Sequence, residues 1–186
     1  MLVVISGLPG TGKSAVAEAL AGPLGAVHLS IDAVEDALLG AGLPRSWTTG
    51  VAAYEAVRAA AEQNLRLGRT VIVDAVNDSE AARGTWRTAA ERTGSLLLFV
   101  VLTLDDREEH RLRLEGRSRD LSHLPEPTWD EVERRAADFE PWTAEHLAIS
   151  ADAPVAGIAD AVLLAVRRQA ADAASPHPGG PELPQR

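Results

Sequence analysis

A three-layer α/β/α domain around a mainly parallel sheet is the fold class this sequence predicts, and three observations carry it. Short apolar runs bounded by turn signals alternate with helical patterns, the order that βαβ units produce. The first run, "MLVVIS", leads directly into "GLPGTGKS", Gly7 to Ser14, whose spacing reads G-x-x-x-x-G-K-[ST], the strand–loop–helix phosphate cradle called a P-loop. The chain has 186 residues, 46% of them hydrophobic and 24% charged, which suits one globular domain with a substantial core.

The elements follow in order. Residues 2–6 read as the first strand, and the loop opens a helix over "KSAVAEALAG" that stops near Gly22-Pro23. "AVHLS" (26–30) is a short second strand, "AVEDALLG" a helix, and "GLPRSWTTG" (42–50) a loop rich in turn formers. "VAAYEAVRAAAEQNLRLG" puts Val51, Tyr54, Val57, Ala61 and Leu65 on one helical face and ends at Gly68, a suitable left-handed terminus. "TVIVD" (70–74) is a buried strand, followed by a helix over 79–92. "SLLLFVVLTL" (95–104) is the most hydrophobic run and reads as the central strand. Asp105-x-x-Glu108 starts a helix through "REEHRLRLEGR", "SRDLSHLPEPTW" is a loop, and Thr128-x-x-Glu131 caps another helix. "LAIS" supplies a fifth strand, and Pro154 opens a helix ending near Arg168. The domain is expected to span residues 1–170, with a Pro/Gly-rich disordered tail over 171–186.

Composition narrows the function classes. No apolar stretch approaches the ~20 residues of a membrane helix. "MLVVISG" has no basic flank and passes straight into the loop, so it is not expected to be a secretion signal. Zero cysteines exclude disulfides and thiolate metal sites and point to a reducing, cytoplasmic setting. The histidines lack H-x-x-x-H spacing, so no zinc site is indicated. A net charge of -9 argues against nucleic acid as a partner, because phosphate backbones are bound by positive fields. No feature of the sequence reports an oligomeric state.

Lys13 is the sole lysine among eighteen basic residues, and it stands where a compact ammonium must reach between two phosphates. Gly7, Gly10, Thr11, Gly12, Lys13 and Ser14 are accordingly the expected ATP-binding residues, their backbone N–H groups and the following helix N-terminus facing phosphate. Ser14 is the expected Mg²⁺ ligand. Asp74 closes an apolar strand and suits the second metal-holding role; Asp105 is its rival, with helix capping as an alternative occupation. Asp32 lies just past the second strand, at the sheet end where such domains bind ligands. There it either accepts the proton of an attacking hydroxyl or caps a helix. Asn77 reaches a substrate or a metal-bound water, or makes a turn.

The helix from Arg107 places His110, Arg113 and Arg117 at i, i+3 and i+7, with Arg119 just beyond. These arginines either neutralise a transferring phosphoryl group from a lid over about 113–127 or pair with Asp106, Glu108, Glu109 and Glu115 at the surface. Of the four tryptophans, Trp47 sits in the turn-rich loop where an acceptor fits, and the others read as core.

With these residues in place, the chain resembles the small P-loop kinases, among the AAA-type predicted kinases near polynucleotide kinase, chloramphenicol phosphotransferase and the zeta-toxin kinases. "GLPGTGKS", "HLSIDAV", "VIVDAVN", "EHRLRLEGRSRD" and "PTWDEVERRAADFEPW" carry the likeness over roughly residues 1–165. The resemblance implies Asp32 as general base and Arg117 as the lid arginine on the phosphates. It departs at Glu35, where the similar polynucleotide kinases usually carry an arginine that meets substrate phosphate. An acid there would repel such a phosphate. The implied activity is ATP- and Mg²⁺-dependent transfer of phosphate to the hydroxyl of a small molecule (antibiotic, nucleoside or sugar-like), with Asp32, Glu35, Trp47 and Asn77 toward the acceptor. A polynucleotide 5′-hydroxyl kinase and a nucleotide switch without acceptor are the alternatives.

Overall fold

β1 (Leu2–Ser6), β2 (Val27–Ser30), β3 (Val71–Asp74), β4 (Leu97–Thr103) and β5 (Leu147–Ser150) form one parallel sheet in the order β2-β3-β1-β4-β5 in this computed structural model, which describes residues 1–174. Every residue of β1 and β3 is buried, as a parallel sheet covered on both faces requires. Alternation along β1 divides the core in two. Val3 and Ile5 pack with Val16 and Leu20 of α1 (Lys13–Leu24) and Ile158 and Val162 of α7 (Val155–Ala174). Leu2 and Val4 pack with Val57 and Ala61 of α3 (Trp47–Arg66) and Trp86 of α4 (Glu80–Thr93). Each fully buried aliphatic side chain contributes about 1.5–3 kcal/mol. The fold is therefore the three-layer α/β/α arrangement expected.

Pairing in register sets Ile5 of β1 beside Asp74 of β3 and Ser30 of β2 beside the same Asp74. The carboxyl ends of three neighbouring strands thus meet where the P-loop, α2 (Ile31–Gly40) and the segment after β3 depart. Open α/β sheets bind ligands at such ends. α5 (Arg107–Gly116) and α6 (Trp129–Ala137) flank a loop over 117–128.

Several boundaries differ from the sequence expectation. α1 continues through Pro23, because Gly25 at φ 54° closes its last turn with N–H bonds from Gly25 to the Gly22 carbonyl (3.0 Å) and from Ala26 to Ala21 (2.9 Å). α2 follows β2 without a loop, its first residue Ile31 pulled into the core. α3 begins at Trp47, inside the expected loop, because the Ser46 hydroxyl accepts the Thr49 N–H at 3.2 Å. That start leaves Val51 exposed and gives its core position to Ala53. The cap of α5 is Asp106, not Asp105; its carboxylate accepts the N–H groups of Glu108 and Glu109, both at 3.0 Å. β4 is an interior strand, but the middle of the sheet is β1, which the crossover from β3 must pass. α7 runs to Ala174 and takes residues 171–174 of the expected tail; residues 175–186 lie outside the described residues.

Candidate active site

The P-loop is held open by its own backbone and by α5. The Leu8 carbonyl accepts three donors: the Thr11 N–H at 3.3 Å, the Thr11 hydroxyl at 2.9 Å and the Lys13 ammonium at 3.0 Å. Thr11 is buried, so its side chain shapes the loop. Gly7 has φ 147°, and a Cβ there would lie 2.6 Å from the Leu102 carbonyl oxygen. Gly10 has φ 91°, and its missing Cβ leaves room for the His110 ring beneath the loop. His110 of α5 is buried and donates from Nε2 to the Pro9 carbonyl at 2.7 Å. The sequence placed His110 on a face with arginines; its contact with the loop was visible only in the fold.

Lys13 is the electrostatic centre. Burial pushes its ammonium down to about 8, while the carboxylates of Asp32 and Asp74 work upward and Arg117 and Arg119 work downward. Five residues from four segments of the chain therefore share one field.

Asp74 is 3% exposed, and β2 grips both of its oxygens: His28 Nε2 lies 2.6 Å from Oδ2, and the Ser30 hydroxyl donates to Oδ1 at 3.2 Å. His28 and Ser30 project to the same side of β2 as residues two apart, a signal present in "HLS" that the sequence reading did not use. Asp105, the rival, is exposed. Ser14 is exposed at the start of α1. An alcohol and a carboxylate are the hard oxygen donors that Mg²⁺ takes together with phosphate and water, so Ser14 and Asp74 fit the ion.

Asp32 is not a helix cap. It stands in the first turn of α2, one residue inside the helix start, and Ser30 holds the capping position. A carboxylate in a first turn sits well in the helix field. Its Oδ2 accepts Nη1 of Arg119 from the loop between α5 and α6. Arg119 Nε also donates to Glu126 Oε1 at 2.6 Å, and Arg117 Nε donates to Glu126 Oε2 at 2.7 Å. One carboxylate thus holds two arginines side by side, one of which reaches Asp32. Glu126 lies between Pro125 and Pro127 and was not singled out from sequence. Residues 117–119 and 121–126 line an open cavity of about 380 Å³.

Arg117 does not share a helical face with His110 and Arg113. α5 ends at Gly116, and Arg117 is extended (φ -75°, ψ 144°). Arg113 points elsewhere: Nε donates to Glu109 and Nη1 to the Ala151 carbonyl after β5, both at 2.7 Å.

The residues expected to face an acceptor divide. Glu35 is half-buried on α2, and burial, followed by the Asp32 charge, raises its carboxyl above the usual range. Trp47 is 83% exposed on the first turn of α3. Asn77 is fully buried and does not face a ligand. Its Nδ2 donates to the Ser6 hydroxyl at 2.8 Å and its Oδ1 accepts the Trp86 indole N–H at 2.7 Å, while φ 54° makes the turn. Both ends of the amide are thus engaged inside the fold. Among the described residues no group of three or more His, Asp or Glu side chains could hold a metal by itself, and no helix is long and apolar enough to cross a membrane.

Solved structures share this architecture. A gluconokinase from Sinorhizobium meliloti 1021 matches at a TM-score of 0.67 with 22% identity, covering 92% of this chain and 94% of its own. The Mycobacterium tuberculosis APS kinase CysC, in complex with AMPPNP and APS, matches at 0.68 with 19% identity, covering 89% and 96%. Chaetomium thermophilum Kti12, in complex with ADP-AlF3, matches at 0.66 with 18% identity, covering 89% and 99%. No curated protein matches the sequence. At these identities the likeness is one of fold, that of a small P-loop kinase. Residues 2–139 match an AAA domain family, and over that span, from β1 through the P-loop, Asp32, Arg117 and Arg119 to α6, this chain belongs to that family.

Proposed function

We propose that the protein transfers the γ-phosphoryl group of ATP to a hydroxyl of a small molecule. The observation that carries the proposal is the reach of Arg119 across the site to Asp32, which sets a carboxylate and two lid arginines around the P-loop lysine. The P-loop amides and Lys13 bind the phosphates. Arg117 and Arg119 neutralise charge on the transferring group and, with the lid, exclude water. Asp32 accepts the proton of the attacking hydroxyl once the acceptor replaces Arg119 at its oxygen. Mg²⁺, when bound through Ser14 and Asp74, neutralises phosphate charge and fixes phosphate geometry. Glu35 and Trp47 border the acceptor. A half-buried acid beside Asp32 favours a neutral or cationic compound over a nucleic-acid 5′ end. The named gluconokinase and APS kinase support a small acceptor by analogy of fold, and a cysteine-free chain supports a cytoplasmic setting.

The test is ATP consumption by wild type and Asp32→Asn against a panel of hydroxyl metabolites and antibiotics, with a 5′-hydroxyl oligonucleotide included. One small compound is expected to raise turnover well above background. Asp32→Asn is expected to lower that turnover by about 10²–10⁴-fold while AMPPNP binding survives. Stimulation by the oligonucleotide alone would reassign the substrate. Slow hydrolysis indifferent to every acceptor and to Asp32→Asn would point to a switch.

A further inference from the structure

α2 carries more than Asp32. Residues 32, 36 and 40 stand at i, i+4 and i+8, one stripe along the helix, and each meets the loop between α5 and α6. Asp32 takes Arg119. Asp36 Oδ1 accepts two successive backbone N–H groups of that loop, from His123 at 2.7 Å and from Leu124 at 2.8 Å. At Gly40 the loop comes so close that an added Cβ would lie 2.7 Å from His123 Cδ2.

The middle contact differs in kind from its neighbours. The Arg119 bond joins two side chains and must break if Asp32 is to accept a proton. Asp36 grips main chain, so it fixes where the loop runs whatever its side chains do. Charge-assisted bonds to backbone N–H are among the stronger hydrogen bonds. The same two N–H groups hold the carboxyl of Asp36 below its ordinary range. At the other end of the loop, Glu126 ties Arg117 to Arg119. A loop pinned at 123–124 and clasped at 117–126 presents both guanidinium groups at one fixed spacing.

We propose that Asp36 is a positioning residue for phosphoryl transfer: by holding the backbone of His123 and Leu124 on α2, it sets Arg117 and Arg119 against the terminal phosphate of ATP. The proposal rests on the reading of those arginines given above. Asp36 touches neither nucleotide nor acceptor. Its effect is felt only by a ligand long enough to meet the lid, a nucleoside triphosphate, and not by a diphosphate seated in the P-loop.

Calorimetric titration with AMPPNP and with ADP, both with Mg²⁺, separates these cases for wild type, Asp36→Ala, Asp36→Asn, Arg117→Ala and Arg119→Ala. The expected result for Asp36→Ala is AMPPNP binding weakened about tenfold, with ADP binding within about twofold of wild type. Asp36→Asn, which keeps an oxygen in place of Oδ1, is expected to recover most of the loss. Equal weakening of both nucleotides would make Asp36 a merely structural residue and overturn the proposal. No weakening, or tighter AMPPNP binding, would overturn it too, the latter showing that the contact holds the lid away. If the arginine variants discriminate between the nucleotides and Asp36→Ala does not, this inference alone falls. If neither arginine variant discriminates, the assignment of the lid arginines falls and the inference with it.

Discussion

At the scale of single residues, Lys13 shows how a fold retunes a common group. Its ammonium is desolvated under the loop and bonded to the Leu8 carbonyl, and it is pushed down to about 8 from 10.5. Below about pH 8 the free protein carries the charge that phosphate needs, and above it the amine is neutral. AMPPNP binding at about pH 9, where the terminal phosphate is already ionised, is therefore expected to take up protons. Titrations in two buffers of different ionisation enthalpy read this directly, and buffer-independent heat at the higher pH would refute it. The same shift acts on stability. The unfolded chain holds the extra proton between about 8 and 10.5, so this group's contribution to folding rises with pH across that window.

At the scale of elements, the segment after α6 is fastened to α4 by one buried arginine. Arg83 is 1% exposed; it donates to the carbonyls of Asn77 (3.1 Å), Pro141 (2.8 Å) and Glu140, and its guanidinium lies 4.1 Å from the Trp142 ring centroid. Trp142 in turn meets Phe99 of β4 edge to face, with centroids 5.2 Å apart. Arg83→Met keeps much of the volume but takes the donor from three carbonyls, of which only that of Asn77 belongs to a buried residue. It is expected to cost about 1–3 kcal/mol, the penalty of a buried acceptor left without its donor. Urea unfolding measures the loss, and a wild-type midpoint would show that water replaces the arginine without penalty. Helix starts obey equally local chemistry. Ser46 and Asp106 cap α3 and α5 through side-chain acceptors that sequence offers in several copies, so the choice between Asp105 and Asp106 needed coordinates.

At the scale of the whole molecule, carboxylates paired in the folded state govern acid stability. Glu62 is buried, which works upward on its carboxyl, but Arg66 and Arg58 outweigh this and hold it below 4.5. Glu131 is held down by its capping-box bonds to Thr128, and Asp36 by the backbone N–H groups of His123 and Leu124. Groups with depressed folded values give stability that is present above their unfolded values, 4.5 for Glu and 3.8 for Asp, and lost as pH falls through the folded ones. The melting temperature is expected to hold near neutrality and to fall steadily below about pH 4.5, against a small opposite contribution from Glu35. A melting temperature unchanged at about pH 3 would show that these pairs carry little. As for what was legible beforehand, "GLPGTGKS" by itself determined the phosphate cradle, since glycine dihedrals and the reach of one lysine are properties of residue type and spacing. Apolar runs alternating with helical periods likewise determined the parallel layered fold, because each period dictates which face must be buried. Only the tertiary structure decided which distant residues meet: His28 with Asp74 across β2 and β3, His110 beneath the P-loop, Arg119 with Asp32, and Asn77 turned inward. Those contacts join residues about as far apart as 46 to 101 positions along the chain, and local propensity carries no information about such pairs; strand order and helix packing create them.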